Sequence, residues 1–294
     1  MKTLIKLIII LALLLFILSI LFRNEILNYV AKRNELKSNE LMFIAGRPYA
    51  IFNIGGKNDI ALVDTGATQS KIDLGKFNPA LIAPHGNINV NTPLGRTNAS
   101  IYKVVDMNFM TRHISNLTVS KTKKMQSNTI GSPEIFSAQE VLITKNGIYY
   151  DKHIEEFKNA FEVPVTYTRS DDKLPKIRSV IYHLEINGEI QQAILDTGIK
   201  SLLTGTTLNS HNKTLPFFSV FRASSGLAIK KVYHQTATLK VGPDILNVDY
   251  KSIPGWNAPR AKYYLGAEIL QHYSLFFNFN KNKFYFIKNE IKKI

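Results

Sequence analysis

The sequence predicts a mainly β protein of two homologous β-barrel-like lobes behind an N-terminal transmembrane helix. Three observations predict it. The stretch from Ile54 to Gly66, IGGKNDIALVDTG, lies without a gap over Ile186 to Gly198, INGEIQQAILDTG, at an offset of 132 residues, so the chain is written twice. Alternating apolar and polar segments flank Gly- and Asn-containing turns in both copies, as in half-buried strands joined by hairpins. Residues 7–22 are apolar apart from Ser19, with Lys2 and Lys6 before them and Arg23, Lys32 and Arg33 after.

Taken in chain order, residues 1–22 form the predicted membrane anchor, extended to Leu4 if Lys6 snorkels to the interface. No small-x-small cleavage site follows the run, which favours an anchor over a cleaved signal. Residues 23–42 are polar and read as a tether. The first lobe spans 43–150: AIFNI, a Gly-Gly turn and DIALVD form a hairpin ending on Asp64. A second predicted hairpin carries NTPLGRT at its tip, and TIGSPEIF brings an apolar-Gly pair and a short helix-compatible stretch. Residues 151–176 have no repeat partner and read as a connector with one helical turn around His153 to Phe161. The second lobe, 177–294, repeats the order: IYHLEI, an Asn-Gly turn, QQAILD ending on Asp196, RASSGLA at a hairpin tip and YLGAEIL. Each copy closes with matching apolar segments, VLITKNGIYY and LFFNFNKNKFYF.

Composition narrows the chemistry. At 294 residues with 45% hydrophobic and 20% charged residues, the chain reads as globular. A net charge of +15 is spread along it, and the one dense run, KTKK at 121–124, has no nucleic-acid motif around it, so nucleic acid is not an expected partner. Without cysteine there is no disulfide framework, thiol nucleophile or cysteine-ligated zinc. The histidines have no metal-ligand spacing, so neither a metal nor a cofactor is expected.

Two Asp-Thr-Gly triplets at equivalent places in a duplicated lobe point to a shared site. Carboxyls in hydrogen-bond reach cannot both ionise cheaply, so one proton is shared and the pair divides into a base and an acid. Such a pair can deprotonate a water and protonate a carbonyl oxygen, which hydrolyses an amide without metal or covalent intermediate. The apolar triplets before each Asp seat it on a buried strand, and glycine permits close backbone approach.

Asp64-Thr65-Gly66-Ala67 with Ile130-Gly131, and Asp196-Thr197-Gly198 with Leu265-Gly266, resemble the aspartic proteases of the retropepsin and pepsin clan. The likeness covers about residues 43–150 and 177–288. It implies the acid-protease fold, fused from two lobes with two flaps on a membrane anchor, as in bacterial members, with the site formed within one chain. It also implies a catalytic dyad of Asp64 and Asp196, supported by Thr65, Gly66, Thr197 and Gly198. By the same resemblance, Thr92, Pro93, Leu94, Gly95, Ala223, Ser224, Ser225 and Gly226 are the substrate-covering flap tips. Ile130, Gly131, Leu265 and Gly266 mark the strands beside the two loops. The implied activity is endopeptidase cleavage of an extended protein or peptide substrate, on the outer side of a cytoplasmic membrane, with the helix in the bilayer. An inactive peptide-binding protein of the same fold is the alternative. The family prefers Ala, Ser or Thr after the triplet; Ala67 fits and Ile199 departs. Neither offers a hydroxyl to its carboxylate, which implies a dyad titrating above that of pepsin-like members.

Overall fold

Hairpin chemistry sets the frame of both halves. Gly55 and Gly56 sit at φ +58° and +80°, and Asn187 and Gly188 at +54° and +80°, the positive-φ pairs that a tight turn between antiparallel strands requires. The first turn joins β2 (Arg47–Ile54) to β3 (Lys57–Asp64), and the second joins β12 (Ile177–Ile186) to β13 (Glu189–Asp196). The computed structural model describes residues 40–289 apart from 93–94, 123–126, 171–175, 207–213, 224–225 and 255–260, together with 7, 8, 10–13 and 16. Contacts divide the chain into Met1–Lys37 and Ser38–Ile294. In the first unit the seven described residues are apolar, helical and exposed; the rest of the predicted anchor, and the tether as far as residue 39, lie outside the described residues. Among the described residues no helix is long and apolar enough to cross a membrane.

Ser38–Ile294 is built mainly of β-strands. In its first half, β1 (Met42–Ile44) lies on β2; β4 (Ile82–Thr92), β5 (Gly95–Phe109) and β6 (Arg112–Thr122) form a long meander, and β5 returns to β2 through Phe52↔Phe109. β7 (Asn128–Gly131) runs parallel to β3, with Asp64 opposite Gly131. The chain leaving β3 comes back beside β7, where Lys71 bridges antiparallel to Thr129 and parallel to Ser120 of β6, which closes the ring of strands.

The second half repeats this plan. β18 (Tyr263–Gly266) runs parallel to β13 with Asp196 opposite Gly266, and β14 (Leu203–Gly205) takes the place of the Lys71 bridge between β18 and β17 (Asp244–Ser252). β16 (Gly226–Val241) pairs with β17 and β15 (Phe217–Ala223), and touches β12 at Ile186↔Leu239, so β12, β13, β18, β14, β17 and β16 form a closed cycle. Single turns of helix, α1 (Ser132–Ile135) and α2 (Ile269–His272), follow the two glycines.

Two expectations change. The closing segments do not stay in their own copies: β8 (Glu140–Ile143) pairs with β19 (Tyr273–Asn278), and with β9 (Ile148–Tyr150), β20 (Lys283–Lys288) and β10 (Ala160–Glu162) they form one five-stranded sheet. The supposed connector is also partly sheet. A 3-10 turn covers Ile154–Glu156, but Ala160–Glu162 pairs with β20, and the alternating β11 (Val165–Arg169) pairs with β12. Pro164, which cannot continue a ladder on its N–H side, separates the two strands. The shared sheet carries aromatic packing across the halves: Phe136 lies edge-on to Phe277 and Phe279, with centroids 4.9 and 5.6 Å apart. Val63, Ile130, Val141, Leu195, Leu265 and Phe277 belong to one continuous core.

Candidate active site

Asp64 ends β3 and Asp196 ends β13, each half-buried after a run of buried apolar residues. Both strands are fully covered near their ends, so the acids leave a rigid support. The residues after them lock the two loops together. Thr65 and Thr197 are wholly buried. Thr197 Oγ1 donates to Val63 O at 2.7 Å and accepts from Thr65 N at 3.1 Å. Thr65 Oγ1 donates to Leu195 O at 3.1 Å and accepts from Thr197 N at 3.1 Å. Four hydrogen bonds thus cross between the copies, each hydroxyl using both its donor and an acceptor lone pair.

The grip sets each acid against the other loop's glycine. A methyl group at Gly66 would lie 2.4 Å from Asp196 Cγ, and one at Gly198 would lie 2.7 Å from Asp64 Cγ, so any side chain there would displace a carboxyl. Asp64 Oδ1 accepts from Gly66 N and Ala67 N, both at 3.0 Å. Burial, the charge of Asp64 and a hydrogen bond with it push the Asp196 carboxyl well above the usual carboxylate range, against the opposing pulls of the Gly198 amide and Arg47. The arrangement therefore disfavours ionising both carboxyls of the pair together.

Gly131 and Gly266 explain why a glycine follows Ile130 and Leu265. Cβ atoms there would meet Ala67 O at 2.6 Å and Ser201 O at 2.1 Å, because each Asp-Thr-Gly loop rests directly on the glycine backbone. Ser132 N donates to Ala67 O at 2.9 Å, and Ala267 N donates to Ile199 O at 2.7 Å, so the loops are held alike. Ile199, which stands where the first copy has Ala67, packs against the cluster of Ile181, Ile194 and Tyr264, and its amide donates to Asp196 O as that of Ala67 donates to Asp64 O. Lys200 is exposed, and its stem lies against the β1–β2 turn, where a Cβ at Gly46 would lie 2.7 Å from its Cγ and Cε.

The predicted flap residues fall at the ends of the β4–β5 and β15–β16 hairpins. Thr92 pairs with Gly95 and Ala223 with Gly226 in register; Pro93, Leu94, Ser224 and Ser225 lie outside the described residues. Among the described residues no group of three His, Asp or Glu is placed to hold a metal ion.

Sequence reasoning missed several neighbours of the dyad. Lys71 stands at the offset of 132 from Leu203; burial lowers its ammonium, while the charges of Asp64 and Asp196 pull the other way. Ser70 and Glu134 are buried behind the Asp64 loop, with Ser70 Oγ bonded to Glu134 Oε2 and accepting from Gly131 N at 2.9 Å. The available signal was the mismatch between copies, polar Ser70-Lys71 in one against apolar Leu202-Leu203 in the other. Compared with known proteins, the chain matches no protein-family model and no curated protein.

Proposed function

We propose that the chain is an aspartic endopeptidase of the retropepsin and pepsin type, fused into one polypeptide and held to a membrane by its N-terminal helix. One observation carries the reading: the reciprocal threonine bonds set two carboxyls face to face, each against the other's glycine. Asp196 holds the shared proton, and Asp64, ordered by two backbone amides, acts as the base. A water between them attacks the scissile carbonyl carbon. Its proton passes to Asp64 as the Asp196 proton passes to the carbonyl oxygen, giving a neutral gem-diol. Asp64 then gives its proton to the amide nitrogen while Asp196 takes one from a gem-diol hydroxyl; the C–N bond breaks, an amine and a carboxylic acid leave, and the dyad is again protonated on Asp196 and ionised on Asp64. Because Asp196 is pushed upward, the optimum lies above strong acid.

The substrate is an extended segment of a protein, bonded through its backbone along strand edges, with alternate side chains in pockets under the two hairpin tips. The reading needs no cofactor, metal or second chain. In this reading the two lobes work outside a cytoplasmic membrane, with the apolar 7–22 run in the bilayer. Incubation of a denatured model protein with the full chain tests the activity. The wild type cleaves it, whereas Asp64→Asn and Asp196→Asn do not; cleavage retained by either variant overturns the dyad. Binding without cleavage by the wild type indicates instead an anchored peptide-binding module.

A further inference from the structure

The two copies hold their apolar-Gly strand by different means. In the second, Gly266 N donates to the backbone carbonyl of Leu202 at 3.0 Å, a bond that no ionisation can alter. In the first, at the equivalent position, Gly131 N donates instead to a side chain, Ser70 Oγ, at 2.9 Å. That hydroxyl bonds to Glu134 Oε2 on α1. Glu134 is 2% exposed, whereas Glu268, which accepts from Leu202 N at 3.0 Å in the second copy, is exposed.

We propose that Glu134 is a positioning residue for Asp64, acting through Ser70 to hold Gly131 and Ser132 against the Asp64–Ala67 loop. The proposal rests on the peptidase reading for its consequence in turnover, but not for its structural content. Gly131 lies opposite Asp64 in the β3–β7 pairing; Ser132 N donates to Ala67 O at 2.9 Å and Ser132 Oγ donates to Thr65 O. Whatever fixes Ser70 Oγ therefore fixes the backbone on which the first acid sits. An ionised Glu134 can only accept, so Ser70 must donate to it and keeps its lone pairs for Gly131 N–H. A neutral Glu134 can instead donate to Ser70 Oγ, which occupies the second of its two lone pairs, releases its O–H from the carboxyl and so changes the oxygen that Gly131 N–H meets.

The switch between these states falls near neutrality. Burial pushes the Glu134 carboxyl up to about 7, against the Ser70 bond and the nearby Lys176 charge. The groups around it are few. Lys176 Nζ approaches Oε1 at 3.9 Å, and Tyr150 faces it from β9, with the Arg112 guanidinium 5.5 Å over that ring. On β12, which packs against α1, Arg178 is exposed, Tyr182 lies against Phe286, His183 meets Thr166 and Glu185 pairs with Lys240. β7 brings no titratable residue.

The full chain labelled with 15N-glycine tests the proposal, with kcat and KM for a neutral peptide measured between pH 5 and 9. The Gly131 amide resonance is expected to titrate near pH 7 in the wild type and in Asp64→Asn, and to stop titrating in Glu134→Gln. In Glu134→Gln the limb of kcat near pH 7 disappears with KM unchanged, and kcat at pH 8 falls by about tenfold or more, as for a slightly misplaced acid. A Gly131 titration that persists in Glu134→Gln, or a wild-type kcat profile in that variant, overturns the proposal. If Glu134→Gln does not fold, Ser70→Ala carries the same readout: loss of the Gly131 titration supports the proposal and its persistence overturns it. If the wild type cleaves nothing, the peptidase reading fails while the Gly131 resonance still decides this one.

Discussion

Replacing Thr197 by valine keeps the shape of the side chain and removes its hydroxyl. Thr197 is fully buried, and its Oγ1 serves two buried backbone groups, Val63 O at 2.7 Å and Thr65 N at 3.1 Å. Leaving a buried donor or acceptor unpaired costs about 1–3 kcal/mol each, so the two orphans cost about 2–6 kcal/mol. The extra apolar carbon recovers about 1 kcal/mol, leaving a net loss of roughly 1–5 kcal/mol. Thr197→Ser keeps both bonds and loses one methyl, for about 1 kcal/mol. Urea unfolding of the full chain reads the difference: at about 2–3 kcal/mol/M the valine variant's midpoint falls by about 1 M with an unchanged slope. A valine variant within about 0.5 kcal/mol of wild type, the ordinary range for neutral surface changes, refutes the reasoning. So does a serine variant as unstable as the valine one.

Other outcomes follow from the same site. The folded chain keeps the Asp196 proton at pH values where an unfolded carboxyl, near 3.8, has lost it. The folded state then binds more protons, so this group lowers stability as pH rises through and above that value. Asp196→Asn should accordingly melt higher than wild type at pH 7 and show little gain at pH 3, as read by thermal unfolding at both. Gly198→Ala places a methyl 2.7 Å from Asp64 Cγ, and cleavage should fall by about a hundredfold, as expected for an acid displaced by about 1 Å. Ile199→Ala removes packing against Ile181, Ile194 and Tyr264; denaturation should show a loss of about 1–2 kcal/mol for this half-buried chain, with kcat unchanged.

Much of the site could be read in advance because it is local and repeated. The β2–β3 and β12–β13 hairpins declare themselves through Gly55-Gly56 and Asn187-Gly188, and the acids follow at fixed spacing. The role of Gly131 and Gly266 is equally local, set by loops a fixed distance upstream. What the sequence did not disclose is partner choice. VLI of β8 and LFF of β19 are interchangeable apolar runs, and only the assembled core decides that they pair with each other. The strands at Ala160–Glu162 and Val165–Arg169 were hidden in the same way, since neither is long enough to announce itself without its partner. Ser70 and Glu134 were invisible because a glutamate at the start of a short helix ordinarily faces water, and burial is a tertiary property.

The five-stranded sheet also sets a timetable. Leu142 of β8 pairs with Phe276 of β19, a strand that follows it by more than a hundred residues, and β20 runs on to Lys288. Until those residues leave the ribosome, β8 offers one unpaired apolar edge, and the first half remains unfinished however well its own hairpins have formed. Pairings of such long sequence separation close late and slowly. A chain in which β8 has been made but β19 has not is thus exposed to edge-to-edge association through that strand.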